Sequence, residues 1–230
     1  MNSAGLIDYD YEKKDFTYFQ VERHEMLQYI PQESHTVLDV GCGCGNFGQL
    51  LKKTRRVEVW GVELNENAAA VAASKLDHVI CAAFDSCLNL PIQSFDCIIF
   101  NDVLEHMVDP FTALLYAKKL LRDGGVVVSS IPNIRYFVTM WDLLVHKNWQ
   151  YAESGILDRT HLRFFTRHSM ISTFSDLGYC VDCIEGINPI EKFNPESSRR
   201  FRLLNRLLFN QIEDMRYLQF AVVARPGDPE

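Results

Sequence analysis

The chain has 230 residues and 47 % hydrophobic content, enough for one domain with a full core and typical of an ordinary globular protein. Its formal net charge of −7, from 23 Lys and Arg against 30 Asp and Glu, excludes a broad polyanion-binding surface, which needs a local excess of basic side chains. A small or neutral substrate is therefore expected, and no nucleic acid. Seven cysteines, an odd number spread over apparent strands and loops, read as reduced thiols in a cytoplasmic protein. Cys180 and Cys183 have C-x-x-C spacing, but residues three apart in a strand face opposite sides, and no second pair or nearby His completes a zinc site. No metal is expected. The N-terminus lacks a basic-then-apolar signal, and no apolar run approaches the roughly 20 residues that span a bilayer.

Residues 1–35 begin polar and aromatic (Tyr9, Tyr11, Phe16, Tyr18, Phe19) and pass into a predicted helix near Tyr18 to Tyr29, stopped by Pro31. Such a helix either covers a sheet edge or brings Tyr18 or Arg23 over a ligand. Next comes TVLDVGCGCGNFG, Thr36 to Gly48, which reads as a strand ending in Asp39 and Val40, a glycine-rich turn and the start of a helix. Without a Cβ, Gly41 and Gly43 let the backbone take positive φ and a ligand lie against the peptide groups. Gly43, Gly45 and Gly48 also spell G-x-G-x-x-G, so this turn alone leaves a dinucleotide open.

From Thr36 onward strands alternate with helices at the spacing of parallel α/β units. The predicted strands are Val37–Val40, Val57–Val62, His78–Cys81, Cys97–Asn101 and Val126–Ile131, several of them continuous apolar runs as expected for strands buried on both faces. The helices fall near Phe47–Lys53, Asn67–Leu76 and Pro110–Leu121. The last has Asp109 to cap it, Pro110 at its first position and Gly124 beyond its end. Residues 133–168 form an insertion rich in aromatics and charge, with an amphipathic stretch around Tyr136–Val145. A helix ending near Phe174–Gly178 leads to a strand at Tyr179–Ile184. An arginine-rich helix, expected to present a solvated face, precedes a final strand at Tyr217–Ala224, and the tail Arg225–Glu230 is expected to be disordered.

Glu63, at the end of the second strand in VWGVELN, can accept hydrogen bonds from a ribose hydroxyl pair, which suits any adenosine-bearing ligand. The next stations separate the cofactors. Phe84-Asp85-Ser86 follows the third strand, then SFDCIIFNDVLEHMVDP (Ser94 to Pro110), LLRDGG and VVVSSIPN. Together with the Asp39 to Gly45 turn, this series resembles the class I S-adenosylmethionine-dependent methyltransferases with a small-molecule, ubiquinone-biosynthesis-like core. The resemblance spans about residues 30 to 132.

That resemblance implies a Rossmann-like α/β fold: a mostly parallel seven-stranded sheet with an antiparallel last strand and helices on both faces. It implies S-adenosylmethionine as cofactor and S-adenosylhomocysteine as product. The backbone of Gly41, Cys42 and Gly43 would contact the methionine end, with Asp39 beneath the turn. Asn101 would offer its carbonyl to the methionine ammonium, Asp85 would bond the adenine amino group, and Leu64 and Phe84 would pack by the ring. Asp102 and Val103 would border the channel along which the methyl group leaves. The whole chain would be one methyltransferase domain: 1–35 an N-terminal cap, 36–132 the cofactor core, 133–170 an acceptor-side insertion, 171–230 the C-terminal strands and helix.

Two stretches are candidates for acceptor chemistry. His106, directly after Glu105, can take a hydroxyl proton near neutral pH. The second stretch, GILDRTHLRFFT, concentrates Asp158, Arg159, His161 and Arg163 among apolar residues. With SIPNIRYF and NWQYAESG it resembles bacterial methyltransferases associated with glycan and cell-surface polysaccharide biosynthesis. His106 or His161 is expected to act as base, and Arg159 or Arg163 to orient a small-molecule or saccharide acceptor; a salt-bridge cluster pinning the insertion is the competing reading. The expected state is a monomer or homodimer. A non-catalytic S-adenosylmethionine-binding protein and an NAD-dependent oxidoreductase remain the alternatives.

Overall fold

A computed structural model describes Tyr11 and residues 14–227; Tyr9 and residues 228–230 of the tail lie outside the described residues. Seven strands form one sheet: β1 (Thr36–Val40), β2 (Glu58–Glu63), β3 (His78–Cys81), β4 (Phe95–Asn101), β5 (Leu121–Pro132), β6 (Tyr179–Pro189) and β7 (Tyr217–Pro226). Their order is β3-β2-β1-β4-β5-β7-β6. The pairs from β3 across to β5 are parallel, while β7 runs antiparallel to both β5 and β6. This is the mixed sheet with an antiparallel last strand that the resemblance implies.

The sheet is held from both sides because its strands alternate two apolar sets. Leu38, Ile98 and Val127 enter one core cluster, and their neighbours Val37, Ile99 and Val128 enter the other. Period-two alternation with both sets apolar is what makes these strands read as continuous runs in the sequence. The helices α1 (Asn46–Thr54), α2 (Glu66–Ala72), α3 (Pro110–Leu120), α4 (Phe137–Leu144), α5 (Arg167–Asp176), α6 (Ile190–Phe193) and α7 (Pro195–Leu207) fill the connections. Asp109 caps α3 by accepting from the N–H groups of Phe111 and Thr112 at 3.1 and 3.0 Å, and Thr166 with Ser169 forms a capping box on α5.

The structure departs from expectation where tertiary contacts override local pattern. The predicted helix over Tyr18–Tyr29 is instead two 3-10 turns, Phe16–Gln20 and His24–Tyr29. They are separated at Arg23, whose φ of +50° is incompatible with a continuous helix. In that conformation the Arg23 guanidinium forms an ion pair with Asp102, far along the chain. α2 stops at Ala72, short of Leu76, and β6 continues past Ile184 to Pro189. Arg225 and Pro226, placed in the tail from sequence, instead belong to β7 and pair with Cys180 and Tyr179, and Gly227 N–H donates to the Gly178 carbonyl at 2.8 Å.

The insertion is pinned at its first residues. Asn133 Nδ2 donates to the carbonyls of Asp214 and Tyr217 at 2.8 and 3.0 Å, and Arg135 Nε pairs with Asp214 at 2.6 Å. A bridge between Asn133 and Phe165 brings its far end back to the same place. The segment therefore closes as a loop over the C-terminal ends of β4 and β5.

Candidate functional site

The chain runs from β1 out to β3 on one side, then crosses back to place β4 on the other flank of β1. Open parallel sheets bind ligands outside the carboxyl ends of their strands at such a reversal. A cavity of about 1060 Å³ lies there, large enough for a nucleoside-sized cofactor and a small acceptor together.

Its floor is the turn after β1. Gly41 and Cys42 donate to the Val62 carbonyl at 2.7 and 3.2 Å, so the turn stays fastened to β2. Gly41 and Gly43 have φ of +67° and +52°. A Cβ on Gly41 would stand 2.5 Å from Val103 Cγ2, and one on Gly43 would stand 2.5 Å from the Phe19 carbonyl oxygen. Both positions thus need glycine on conformational and steric grounds.

Two buried carboxylates sit beneath this turn in opposite states of satisfaction. Glu63 is 1 % exposed and accepts from Gly43 N–H at 2.8 Å, Asn65 N–H at 2.8 Å and the Tyr11 hydroxyl at 3.3 Å. Its carboxylate braces the loop as well as facing the cavity. Asp39 has one oxygen without a hydrogen-bond partner among the described residues, and burial, then the nearby Glu63 charge, pushes its pKa up to about 8. Asn101, at the end of β4, has both side-chain polar atoms buried without partners. Unpartnered buried polar atoms are costly unless a ligand completes them. The glycine cradle and these orphaned groups fit the methionine half of S-adenosylmethionine.

Every sequence-predicted cofactor residue lines the cavity: Asp39, Gly41, Cys42, Gly43, Glu63, Leu64, Phe84, Asp85, Asn101, Asp102 and Val103. Their environments differ. Leu64 is 45 % exposed, so its side chain is free to pack on a ligand, whereas Phe84 is 9 % exposed and stacks edge-on against Phe100 and tilted against Tyr116. Asp102 has φ +54° and is held by Arg23, by Gln219 and by the Ser130 hydroxyl at 3.2 Å.

The other end of the cavity is built around His106 and His161, whose rings meet at 4.6 Å, edge to face. A carbonyl can only accept, so the 3.2 Å contact to the Thr160 carbonyl places the His106 proton on Nδ1, with the Thr160 hydroxyl also 3.0 Å away. Thr160 Oγ1 in turn donates to Asp158 Oδ1 at 2.7 Å, and Lys14 Nζ pairs with Asp158 at 2.7 Å. His106 Nε2 is left as an acceptor, 3.1 Å from the Tyr18 hydroxyl. Burial first, then His161, lowers the His106 pKa to about 4, so the ring is neutral. The same reasoning puts the His161 proton on Nδ1, which donates to the Ile156 carbonyl at 2.9 Å.

Glu105 is 1 % exposed, neither of its oxygens has a hydrogen-bond partner among the described residues, and burial raises its pKa to about 8. His161 Nε2, which carries no proton in this tautomer, stands 4.0 Å from Glu105 Oε1, and the Arg23 charge offsets the effect of burial only in part. Glu105, His106 and His161 bring one ligand atom each within 4.8 Å of one another. One carboxylate and two imidazoles form a donor set suited to a divalent transition ion. No spacing in the chain announces this set, because His161 lies on the insertion and only the fold carries it to Glu105.

Arg159 and Arg163 are not among the residues lining the cavity. Arg159 pairs with Glu153 at 2.9 Å with its side chain 55 % exposed, and Arg163 donates to the Val108 carbonyl and lies over the Phe111 ring. The cations that do line it are Lys14 and Arg23. Arg23 and Tyr18 are the two N-terminal side chains offered from sequence as lying over a ligand, and both line the cavity; Lys14 does not stand out, being a single basic residue in a polar, aromatic segment without a motif.

Comparison with known proteins agrees with this geometry. Residues 11–184 match the family model described as a methyltransferase domain. A ubiquinone biosynthesis O-methyltransferase from Hydrogenovibrio crunogenus is 26 % identical over 203 residues, which cover 81 % of this chain and 78 % of that protein. Another from Idiomarina loihiensis is 31 % identical over 115 residues, spanning 44 % of this chain and 46 % of that protein. Among solved structures, a SAM dependent methyltransferase from Archaeoglobus fulgidus superposes with a TM-score of 0.66 at 20 % identity, covering 97 % of this chain and 99 % of that one. Since the family model takes in the glycine turn, the β4 end and both histidines, the chain belongs to the methyltransferase domain family, and S-adenosylmethionine is the cofactor that this family and fold imply.

Proposed function

We propose that the chain is an O-methyltransferase acting on a hydroxyl of a small molecule or saccharide, with His106 as general base. The observation that carries this reading is the placing of an acceptor-ready imidazole nitrogen and an orphaned, glycine-lined cradle in one cavity. When bound, S-adenosylmethionine supplies a methyl group on a sulfonium that is already a good leaving group. The protein's tasks are then alignment and proton removal.

His106 Nε2 takes the acceptor proton, directly or through the Tyr18 hydroxyl that now faces it. The positive charge that develops on the ring is met by Nδ1–H donating to Thr160, whose hydroxyl bonds to Asp158. Thr160 and Asp158 are positioning residues in this scheme. Asn101 and Asp39 hold the donor end, Glu63 the ribose hydroxyls, and Tyr18 and the insertion exclude water.

The likeness to ubiquinone-pathway enzymes, acting at low identity, supports oxygen as the acceptor atom. The test is mass spectrometry of extract components incubated with trideuteromethyl-labelled cofactor. Label should enter a hydroxyl-bearing product with the wild type, His106→Ala should lower kcat at least about 100-fold, and Thr160→Val should lower kcat with KM little changed. An unchanged rate in His106→Ala removes it as base.

A second reading rests on Glu105, whose unpartnered buried carboxylate a divalent ion at Glu105, His106 and His161 would satisfy. Such an ion would acidify the acceptor hydroxyl. Metal analysis of the purified protein, with activity before and after chelation, separates it from the metal-free scheme, which predicts no loss.

A further inference from the structure

α7 packs inward through Ser198, Phe201 and Asn205, all buried, with the Phe201 ring 5.5 Å from that of Phe137 on α4. Helical periodicity turns Arg199, Leu203, Arg206 and Leu207 away from these, with Glu196 and Arg200 one heptad before Leu203 and Leu207 on the same face, while Arg202 borders the buried side; all seven are exposed. Leu203 and Leu207 are each 65 % exposed, and Phe209, just beyond the helix, is 87 % exposed. Beyond the first turn this outward face is therefore apolar along its centre and basic along its flanks.

The end of the helix is built to keep that aromatic ring out. Phe209 and Asn210 follow one another at φ +52° and +63°, a left-handed conformation that side chains with a Cβ adopt at a cost. Asn205 holds the turn from beneath: its carbonyl accepts from Asn210 N–H at 2.8 Å and its side-chain oxygen from Ile212 N–H at 3.3 Å. The Phe209 ring pairs with no other aromatic ring among the described residues.

The charge is equally distinctive. In a chain of net charge −7, this helix carries Arg199, Arg200, Arg202 and Arg206, and none of the ion pairs among the described residues includes them. Arg200 lies over the Trp141 ring. The acidic side chains close by in sequence are Glu191, which pairs with Arg216 and also feels the Arg202 charge, Glu196, in the first turn, and Glu213 and Asp214, which Arg216 and Arg135 already engage.

We propose that this face docks peripherally on an anionic lipid bilayer, with Leu203, Leu207 and Phe209 entering the headgroup boundary and the arginines meeting lipid phosphates. Basic flanks around exposed leucine and phenylalanine are the signature of an interfacial helix. A second copy on a two-fold axis would oppose the same arginines to one another. Single-stranded nucleic acid would use the arginines but give the leucines no partner. No helix among the described residues is long and apolar enough to cross a membrane, so the contact is at the surface. Phe201 shares its core cluster with Ile156, which also lines the cavity, so the docked face sits one packed layer from the acceptor end. The inference holds whatever the acceptor is.

Co-sedimentation of the full chain with vesicles of phosphatidylcholine, and of an equal mixture of phosphatidylcholine and phosphatidylglycerol, tests it. The chain should bind the mixed vesicles, less so as salt rises, and the pure phosphatidylcholine vesicles weakly. Arg199→Gln with Arg206→Gln should lower the partition coefficient about 25-fold, at about fivefold per arginine. Leu203→Ser with Phe209→Ser should weaken binding while its salt dependence persists. These positions are exposed, so circular dichroism and S-adenosylhomocysteine affinity serve as controls for folding. Absence from both vesicle pellets overturns the proposal. So do binding that ignores all four substitutions, a dimer in solution that Leu203→Ser dissolves, or retention of single-stranded RNA that mixed vesicles fail to displace.

Discussion

Asp39 and Glu63 are carboxylates at the ends of neighbouring strands, both buried, and the fold treats them in opposite ways. Glu63 accepts from two backbone N–H groups and a phenol, which suits a carboxylate. Asp39 has an unpartnered oxygen and a pKa near 8, set first by burial and then by Glu63. A folded-state pKa above the unfolded value of about 3.9 means the native state binds more protons between those limits, so stability is present at low pH and lost as pH rises toward 8. Asp39→Asn should therefore match the wild type in melting temperature near pH 4 and exceed it by pH 8, with weaker cofactor binding. Parallel melting curves across that range check this, and equal pH slopes would show that Asp39 is ionised in the free protein. The roles read from sequence at Asp39, Gly41, Glu63 and Asn101 rest on a local motif, which is why all four reach one cavity. Glu105 was legible only as a neighbour of His106, because its isolation from every partner is a property of the packed interior.

The elements divide in the same manner. β1, β2, β4 and β5 are legible since runs such as VLDV and DCIIF must be buried on both faces, and α3 since Asp109, Pro110 and Gly124 mark both its ends. The N-terminal segment is not legible. Its aromatic and charged pattern suggests a helix, whereas Tyr11, Lys14, Tyr18 and Arg23 each leave the local chain to meet Glu63, Asp158, His106 and Asp102. Partners that distant leave no periodic trace. The Lys14–Asp158 pair has side-chain exposures of 5 % and 1 %, and removing one member of a buried pair costs about 3–5 kcal/mol because the other is left uncompensated. Lys14→Met should lower stability by about 3 kcal/mol in denaturant titration, and adding Asp158→Asn should recover much of it. A double variant no more stable than Lys14→Met would mean the pair contributes nothing as a unit.

For the whole molecule, topology decides what the motifs alone leave open. The reversal of strand order beside β1 opens the sheet above Gly41, the insertion closes over that opening from the β5 side, and the N-terminal segment completes the wall. The glycine turn fits either an adenosylated methionine or a dinucleotide, but Asn101 and Asp39 present unpartnered oxygens beside it, which the ammonium of a zwitterionic amino-acid end would satisfy and a pyrophosphate, an acceptor only, would not. His161 and Thr160 then arrive from the insertion to stand by His106, a meeting that depends on the complete fold. Calorimetric titration of the free protein with S-adenosylhomocysteine and with NAD, side by side, tests this account most directly. It predicts stoichiometric binding of S-adenosylhomocysteine, weakened at least about tenfold by Glu63→Ala, and no heat from NAD; tight binding of NAD with none of S-adenosylhomocysteine would contradict it.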